Sequence, residues 1–225
     1  MFFDDLMGLG QLANTLYSCK PPLSVVDVSR VNSPGSEIHH RRGALMATYV
    51  AKWIDIAPDF DFDRRIQRKV TGLQVQQNSS GGVDVFEGKP RIAEYEGLVY
   101  FQGHPAIVEV KATRLNGYAR RLPRHLEIAN RIYQRNDVNA LLFVPHSIVH
   151  SRHQAHLSGQ FSPYLHIIDT GFSTEEVDTY IREHASEFGS NCKPKRIHPK
   201  STNGKKKKRC FVGRTIKKRR KRRGR

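Results

Sequence analysis

Apolar positions along the chain change their period several times, and each change predicts an element. From Arg41 to Ile54, Leu45, Tyr49 and Trp53 recur every fourth residue with Met46 and Val50 beside them, the stripe of an amphipathic helix that Pro58 closes. Arg65 to Gln76 and Val83 to Glu87 read as strands, separated by the turn-forming run Asn78-Ser79-Ser80-Gly81-Gly82. Glu94 to Lys111 reads as a β-hairpin. A two-residue turn at Gly103-His104, with glycine at its first central position, pairs Gln102 with Pro105, Glu96 with Lys111 and Leu98 with Glu109. Side chains alternate across a strand, so Glu96, Glu109 and Lys111 share one face, with Glu94 just beyond. On the other face Tyr95, Gly97, Val99 and Phe101 meet Ala106, Val108, Val110 and Ala112, and this is the expected core face.

Downstream, Leu122 to Arg135 predicts a basic helix with Pro123 in its first turn and Leu126, Ala129 and Tyr133 on its buried side. Val138 to Val144 is an apolar run of strand length ended by Pro145, and Tyr164 to Asp169 predicts a further strand. Ser173 and Glu176 form a capping box that opens a helix over Thr174 to Phe188, stopped by Gly189. Near the start, the apolar stretch Met1 to Tyr17 suits a helix packed on the core or a dimer contact, and Val25 to Val31 an extra strand.

Two carboxylates and an ammonium at adjoining positions are costly to hold together. A cross-strand Glu96–Lys111 ion pair would contribute ~0.2–1 kcal/mol and leave Glu109 and Glu94 crowded. A divalent cation would answer both acids. Mg²⁺ takes oxygen ligands at about 2.0–2.1 Å, one or two carboxylates among them, and it polarises phosphoryl oxygens and activates bound water. Lys111 would then orient that water or stabilise charge building on a phosphate. Spacing alone leaves both readings open.

An acid opening one strand, followed by Glu-X-Lys near the end of the next, resembles the PD-(D/E)XK nuclease superfamily, with Glu96, Glu109 and Lys111 at the matching positions. The resemblance implies an α/β, restriction-endonuclease-like fold: an αβββαβ core whose mixed central sheet is flanked by helices. The elements predicted above follow that order. It further implies hydrolysis of phosphodiester bonds, expected in DNA, with Mg²⁺ or Mn²⁺ as cofactor. Lys111, Glu109 and Glu96 would be the catalytic set. Glu96, Glu109 and the backbone carbonyl of Val110 would hold the metal, and Glu94 sits where some members carry an additional acid. Arg42-Gly43 is similar to a pair that precedes the first helix in archaeal Holliday-junction resolvases. Those proteins carry an acid within that helix, where this chain has Ala47 and Thr48, and Glu37 lies earlier. The first acid of the superfamily is usually Asp; here it is Glu96. The Gln-X-X-X-Tyr motif of exonuclease-like members is absent, since Ala129 stands four residues before Tyr133. The alternative is a non-catalytic DNA- or RNA-binding protein that keeps the nuclease-like fold.

Charge adds a partner. Residues 193–225 hold 18 of the 38 Lys+Arg and no acid, which leaves 20 basic against 21 acidic residues in the rest of the chain. Lys205, Lys206, Lys207, Lys208 and Arg209, then Lys217, Lys218, Arg219, Arg220, Lys221, Arg222 and Arg223, make this a self-repelling segment expected to be disordered when free. Such density suits a nucleic-acid arm that binds by counterion release, or a nuclear import signal. Arg114, Arg120, Arg121, Arg124 and His125, beside the hairpin, form a basic cluster that could guide a phosphate backbone to it, while Arg131 and Arg135 suit a solvated helix face.

The expected organisation is an extension over residues 1–36, a nuclease-like domain over 37–190 and a basic tail over 191–225. His146, His150, His153 and His156 have a helical spacing that can bind zinc, yet better suits a phosphate-contacting surface. The three cysteines (Cys19, Cys192 and Cys210) lack metal-ligand spacing and, odd in number, argue for a reducing compartment: cytoplasm or nucleoid, or nucleus in a eukaryote. No run is apolar enough to span a bilayer, and Met1 to Tyr17 carries Asp4 and Asp5 in place of a basic signal-peptide start.

Overall fold

The computed structural model describes residues 4–31, 33, 37–65, 67–78, 81–113, 115, 117–149 and 164–188, with side chains from residue 11 onward. The basic tail, Arg114, His150, His153, His156, Cys192 and Cys210 lie outside the described residues.

The chain folds as a mixed α/β structure with two sheets. A five-stranded mixed sheet has the order β1 (Phe60–Phe62), β6 (Gly97–Phe101), β7 (His104–Val110), β8 (Asn139–Val144), β9 (Leu165–Asp169). The β1–β6 and β6–β7 pairs are antiparallel, and β7–β8 and β8–β9 are parallel. A separate four-stranded antiparallel sheet holds β2 (Arg68–Val70), β3 (Leu73–Gln77), β4 (Val83–Glu87) and β5 (Arg91–Tyr95). The helices are α1 (Asp4–Ser18), α2 (Ile38–Ile56), α3 (Tyr118–Tyr133), the short α4 (His146–Val149) and α5 (Thr174–Glu183).

Both faces of the large sheet are buried. On one, Val99, Phe101, Ala106, Val108, Val110, Leu141 and Phe143 pack with α1, α2 and α5. The periodic stripe of α2 carries this core, Leu45, Tyr49 and Trp53 all being fully buried. On the other face Leu98, Ile107, Ala140 and Leu142 pack with α3 and with the inner residues of the small sheet, Leu73, Val75, Val83, Val85 and Tyr95. A strand buried on both faces reads as a continuous apolar run, which is why Val138 to Val144 carries no alternation.

The N-terminal segment belongs to the first core. Leu12, Leu16, Leu23, Val26, Val28 and Val31 are buried in it. The Trp53 Nε1–H donates to the Leu16 carbonyl at 2.8 Å, and the Tyr49 hydroxyl donates to that of Pro21 at 2.9 Å. Residues Val25 to Val31 are not a strand. They form two 3₁₀ turns, Leu23–Val25 and Val28–Arg30, the second capped by Asp27, whose carboxylate accepts from the Ser29 N–H.

Several local expectations shift for identifiable reasons. Arg65 to Gln76 is two strands, because Thr71 and Gly72, at φ 48° and 79°, make a tight two-residue turn. The helix expected from Leu122 begins at Tyr118, behind Gly117 at φ 84°, so Pro123 lies inside it and is exposed. Arg42 lies within α2 instead of preceding it, and its guanidinium grips Asp178 of α5 with two bonds of 2.7 and 2.5 Å. The capping box at Ser173 and Glu176 forms on both sides, but α5 ends at Glu183, and turns carry the chain on toward Phe188.

Candidate metal centre

The hairpin of β6 and β7 turns at Gln102-Gly103, not at Gly103-His104. Both central residues have positive φ, 48° and 82°, which fits a type I′ turn with glycine second. Phe101 therefore pairs with His104 and Leu98 with Ile107, a register two residues from the expected one. A shift of two keeps every β6 and β7 side chain on its expected face. It changes the partners: the last pair is Gly97 with Val108, and the Glu96 N–H donates to the Val108 carbonyl at 3.0 Å. Lys111 runs past the end of β6 and bonds instead to β8, its N–H reaching the Phe143 carbonyl at 3.0 Å. Tyr95 leaves the expected core face. It ends β5 and packs on the α3 side, because one residue, Glu96, separates the two sheets.

Glu109 is the centre of the cluster. It is 3% exposed, and both its carboxylate oxygens are occupied. Oε2 accepts from Lys111 Nζ at 2.6 Å, and Oε1 lies 3.2 Å from His125 Nδ1. Burial alone would raise the Glu109 pKa. The His125 hydrogen bond and the charge and hydrogen bond of Lys111 outweigh it and hold the carboxyl below its ordinary value. Lys111 Nζ also reaches the Val110 carbonyl at 3.2 Å and stands 5.3 Å over the Tyr118 ring. Glu109 Oε2 and the Val110 carbonyl thus converge on one cation position, which the ammonium fills.

Glu96 stays exposed at the edge of this cluster. The protein crowding it raises its pKa, opposed by Lys111 and reinforced by Glu109 and Glu94. The three residues are therefore brought together electrostatically, in keeping with their shared face. Glu94 is engaged elsewhere. It pairs across the small sheet with Asp84, and Arg91 bridges the two acids at 3.0 and 3.1 Å. Its carboxylate is thus ion-paired on the small sheet, while its charge still acts on Glu96.

The neighbouring arginines divide. Arg120, Arg121 and Arg124 are exposed on the first turns of α3. Arg131 is tied to Glu87 at 2.7 Å and Arg135 to Asp137 at 2.5 Å, so both are ion-paired surface residues. His146 sits 2.6 Å from an Asp169 oxygen at the carboxyl ends of β8 and β9.

Two buried polar residues carried little signal in the sequence. His125 stands on the buried stripe of α3, among Leu122, Ile128, Ala129 and Ile132, where its only mark is a polar ring in an apolar row. Asp63, 6% exposed, accepts from Arg65 at 3.0 Å and Arg68 at 2.8 Å. Arg65 also bonds to the Tyr100 hydroxyl and lies over that ring, while Tyr100 meets Tyr133 edge-on at 5.4 Å. A further group of ligating side chains, Glu37, His39 and His40, is exposed at the entrance to α2, with ligand atoms within 4.8 Å of one another. Two imidazoles there would suit a transition metal better than Mg²⁺.

Among the described residues no helix is long and apolar enough to cross a membrane. No family model matches the chain, and no curated protein matches it.

Proposed function

We propose that this chain is a metal-dependent nuclease that hydrolyses phosphodiester bonds in DNA, with a restriction-endonuclease-like core. The observation that carries the reading is the convergence of Glu109 Oε2 and the Val110 carbonyl on a single cation position, at 2.6 and 3.2 Å from Lys111 Nζ, with Glu96 at its edge. The order α2, β1, β6, β7, α3, β8 around the large sheet supports the αβββαβ core, the small sheet being an insertion between its first and second strands.

Glu96, Glu109 and the Val110 carbonyl would hold Mg²⁺ or Mn²⁺. Bound there, the metal supplies a Lewis acid and lowers the pKa of coordinated water. The chain's own residues supply the rest. Glu109 is kept ionised by its partners. Lys111, displaced from Oε2, stays close enough to orient a water or to stabilise charge on the phosphate. Arg120, Arg121 and Arg124 would steer the backbone, and the 18 basic residues of the tail would add sequence-blind, salt-sensitive affinity.

The test is incubation of the full chain with plasmid, single-stranded and branched DNA, with Mg²⁺, Mn²⁺ or EDTA, beside Lys111→Ala. Metal-dependent cleavage that the substitution abolishes is the expected result. Tight binding with no cleavage of any substrate would instead favour a non-catalytic nucleic-acid-binding protein. The engagement of Glu94 by Arg91, which leaves the cluster one acid poorer than expected, points toward that second reading.

A further inference from the structure

We propose that His125 is the positioning residue of this centre, its Nδ1–H fixing the plane of the Glu109 carboxylate so that Oε2 faces the Val110 carbonyl. The inference rests on the nuclease reading and extends it to a residue from a different element, α3, sixteen positions along the chain.

The direction of the hydrogen bond follows from the acid. An ionised carboxylate can only accept, so the ring nitrogen 3.2 Å from Oε1 must carry the proton. The terminal torsion of a glutamate is broad and weakly two-fold, so burial alone does not orient its oxygens. Two bonds do. His125 takes Oε1, which leaves Oε2 turned toward the cation position shared with Val110.

The ring is itself held. Tyr95 meets it edge-on at 5.4 Å and 82°, and Tyr118 at 6.5 Å and 88°. The Tyr95 hydroxyl donates to the His125 carbonyl at 2.8 Å, so one tyrosine fixes both ring and backbone. A neutral imidazole has one N–H to place. This one is 8% exposed and spends its donor on the buried acid of the site. Groups that orient metal ligands in this way typically change metal affinity or activity by ~10–100-fold when removed.

The experiment compares the full chain with His125→Leu, which deletes the donor, and His125→Asn, whose amide N–H can stand near the Nδ1 position. Mn²⁺ binding is measured by calorimetry without DNA, and cleavage is resolved into kcat and KM. Thermal melts in EDTA check folding. The Leu variant should lose ~10–100-fold in Mn²⁺ affinity and in kcat with KM little changed, and the Asn variant should recover most of both. Equal losses in both variants, or Mn²⁺ binding unchanged in both, overturn the proposal.

If the Leu variant does not fold, the unsubstituted protein decides the matter. Long-range ¹H–¹⁵N spectra of its imidazoles should show His125 protonated at Nδ1, with that resonance moving as Mg²⁺ is added. A ring with no proton on Nδ1 overturns the inference while leaving the nuclease reading intact. Absence of any Mn²⁺ binding by the unsubstituted protein removes both.

Discussion

Removing the Lys111 ammonium takes the internal cation away from Glu109 Oε2 and the Val110 carbonyl, and two effects follow. Glu109 is left buried with the His125 hydrogen bond but without its countercharge, which is costly for an ion pair broken on one side. A divalent ion then meets no competitor for the same oxygens. Lys111→Met should therefore melt at a lower temperature than the unsubstituted protein in EDTA and recover with Mn²⁺. It should bind Mn²⁺ several-fold more tightly, and on the proposed nuclease reading it should not cleave. Calorimetry and melting curves check both, and an unchanged affinity would show that the ammonium and the metal do not share a position. At this scale the Glu-X-Lys spacing was legible because both side chains leave one strand, two residues apart. The role of His125 was not, since beside Arg124 it reads as one more basic side chain and nothing local says that it faces the core. Asp63 was hidden in the same way, because burial at a strand's end leaves no periodic mark.

Elements were legible where their signal is local. The stripe of α2 and the capping box of α5 are written within a few residues, and both formed where expected. The hairpin register was not, because Gln102-Gly103 and Gly103-His104 are both acceptable two-residue turns and only tertiary packing selects one. Membership of β2 to β5 in a second sheet was equally invisible, since alternation tells a strand's two faces and not its neighbours. The joint between α2 and α5 shows what such non-local facts cost. Arg42 and Asp178, 136 residues apart, form a two-bond pair whose side chains are only 11% and 15% exposed. Asp178→Ala should destabilise the protein by about 3–5 kcal/mol, because it strands the guanidinium of Arg42. Removing both, as Arg42→Met with Asp178→Leu, should cost much less. Denaturant titration of the three variants measures the difference.

For the molecule as a whole, the buried acids and phenols set the pH limits of folding. Desolvation works against the Asp63 carboxylate, but hydrogen bonds from Arg65 and Arg68 prevail, and its pKa lies below normal, as does that of Glu109. Their stabilisation is complete at neutral pH and is lost as pH falls from about 4 through the depressed folded values. Glu96, exposed but crowded by the protein around it, has the opposite sign: its pKa is raised, so its contribution is full in acid and fades as pH rises through that value. Tyr95, Tyr118 and Tyr133 are raised chiefly by burial. The folded protein retains those protons when the unfolded chain gives them up, so stability should also decline above about pH 10. Denaturation midpoints from pH 3 to 11 should show a plateau with both shoulders. An Asp63→Asn variant should have a weaker acid shoulder, and an acid limb identical in that variant would contradict the assignment.

Glu96 is the single residue between the strand that ends the small sheet and the strand that enters the large one. Its N–H donates to the Val108 carbonyl, so it is tied to β7, the strand that carries the buried Glu109. An ion held by both carboxylates, as proposed above, would link the start of β6 to the interior of β7. Such an ion would also restrain the end of β5, one residue away. Anything that binds the inserted sheet and shifts β5 would then couple to occupancy of the centre, equally in both directions by linkage.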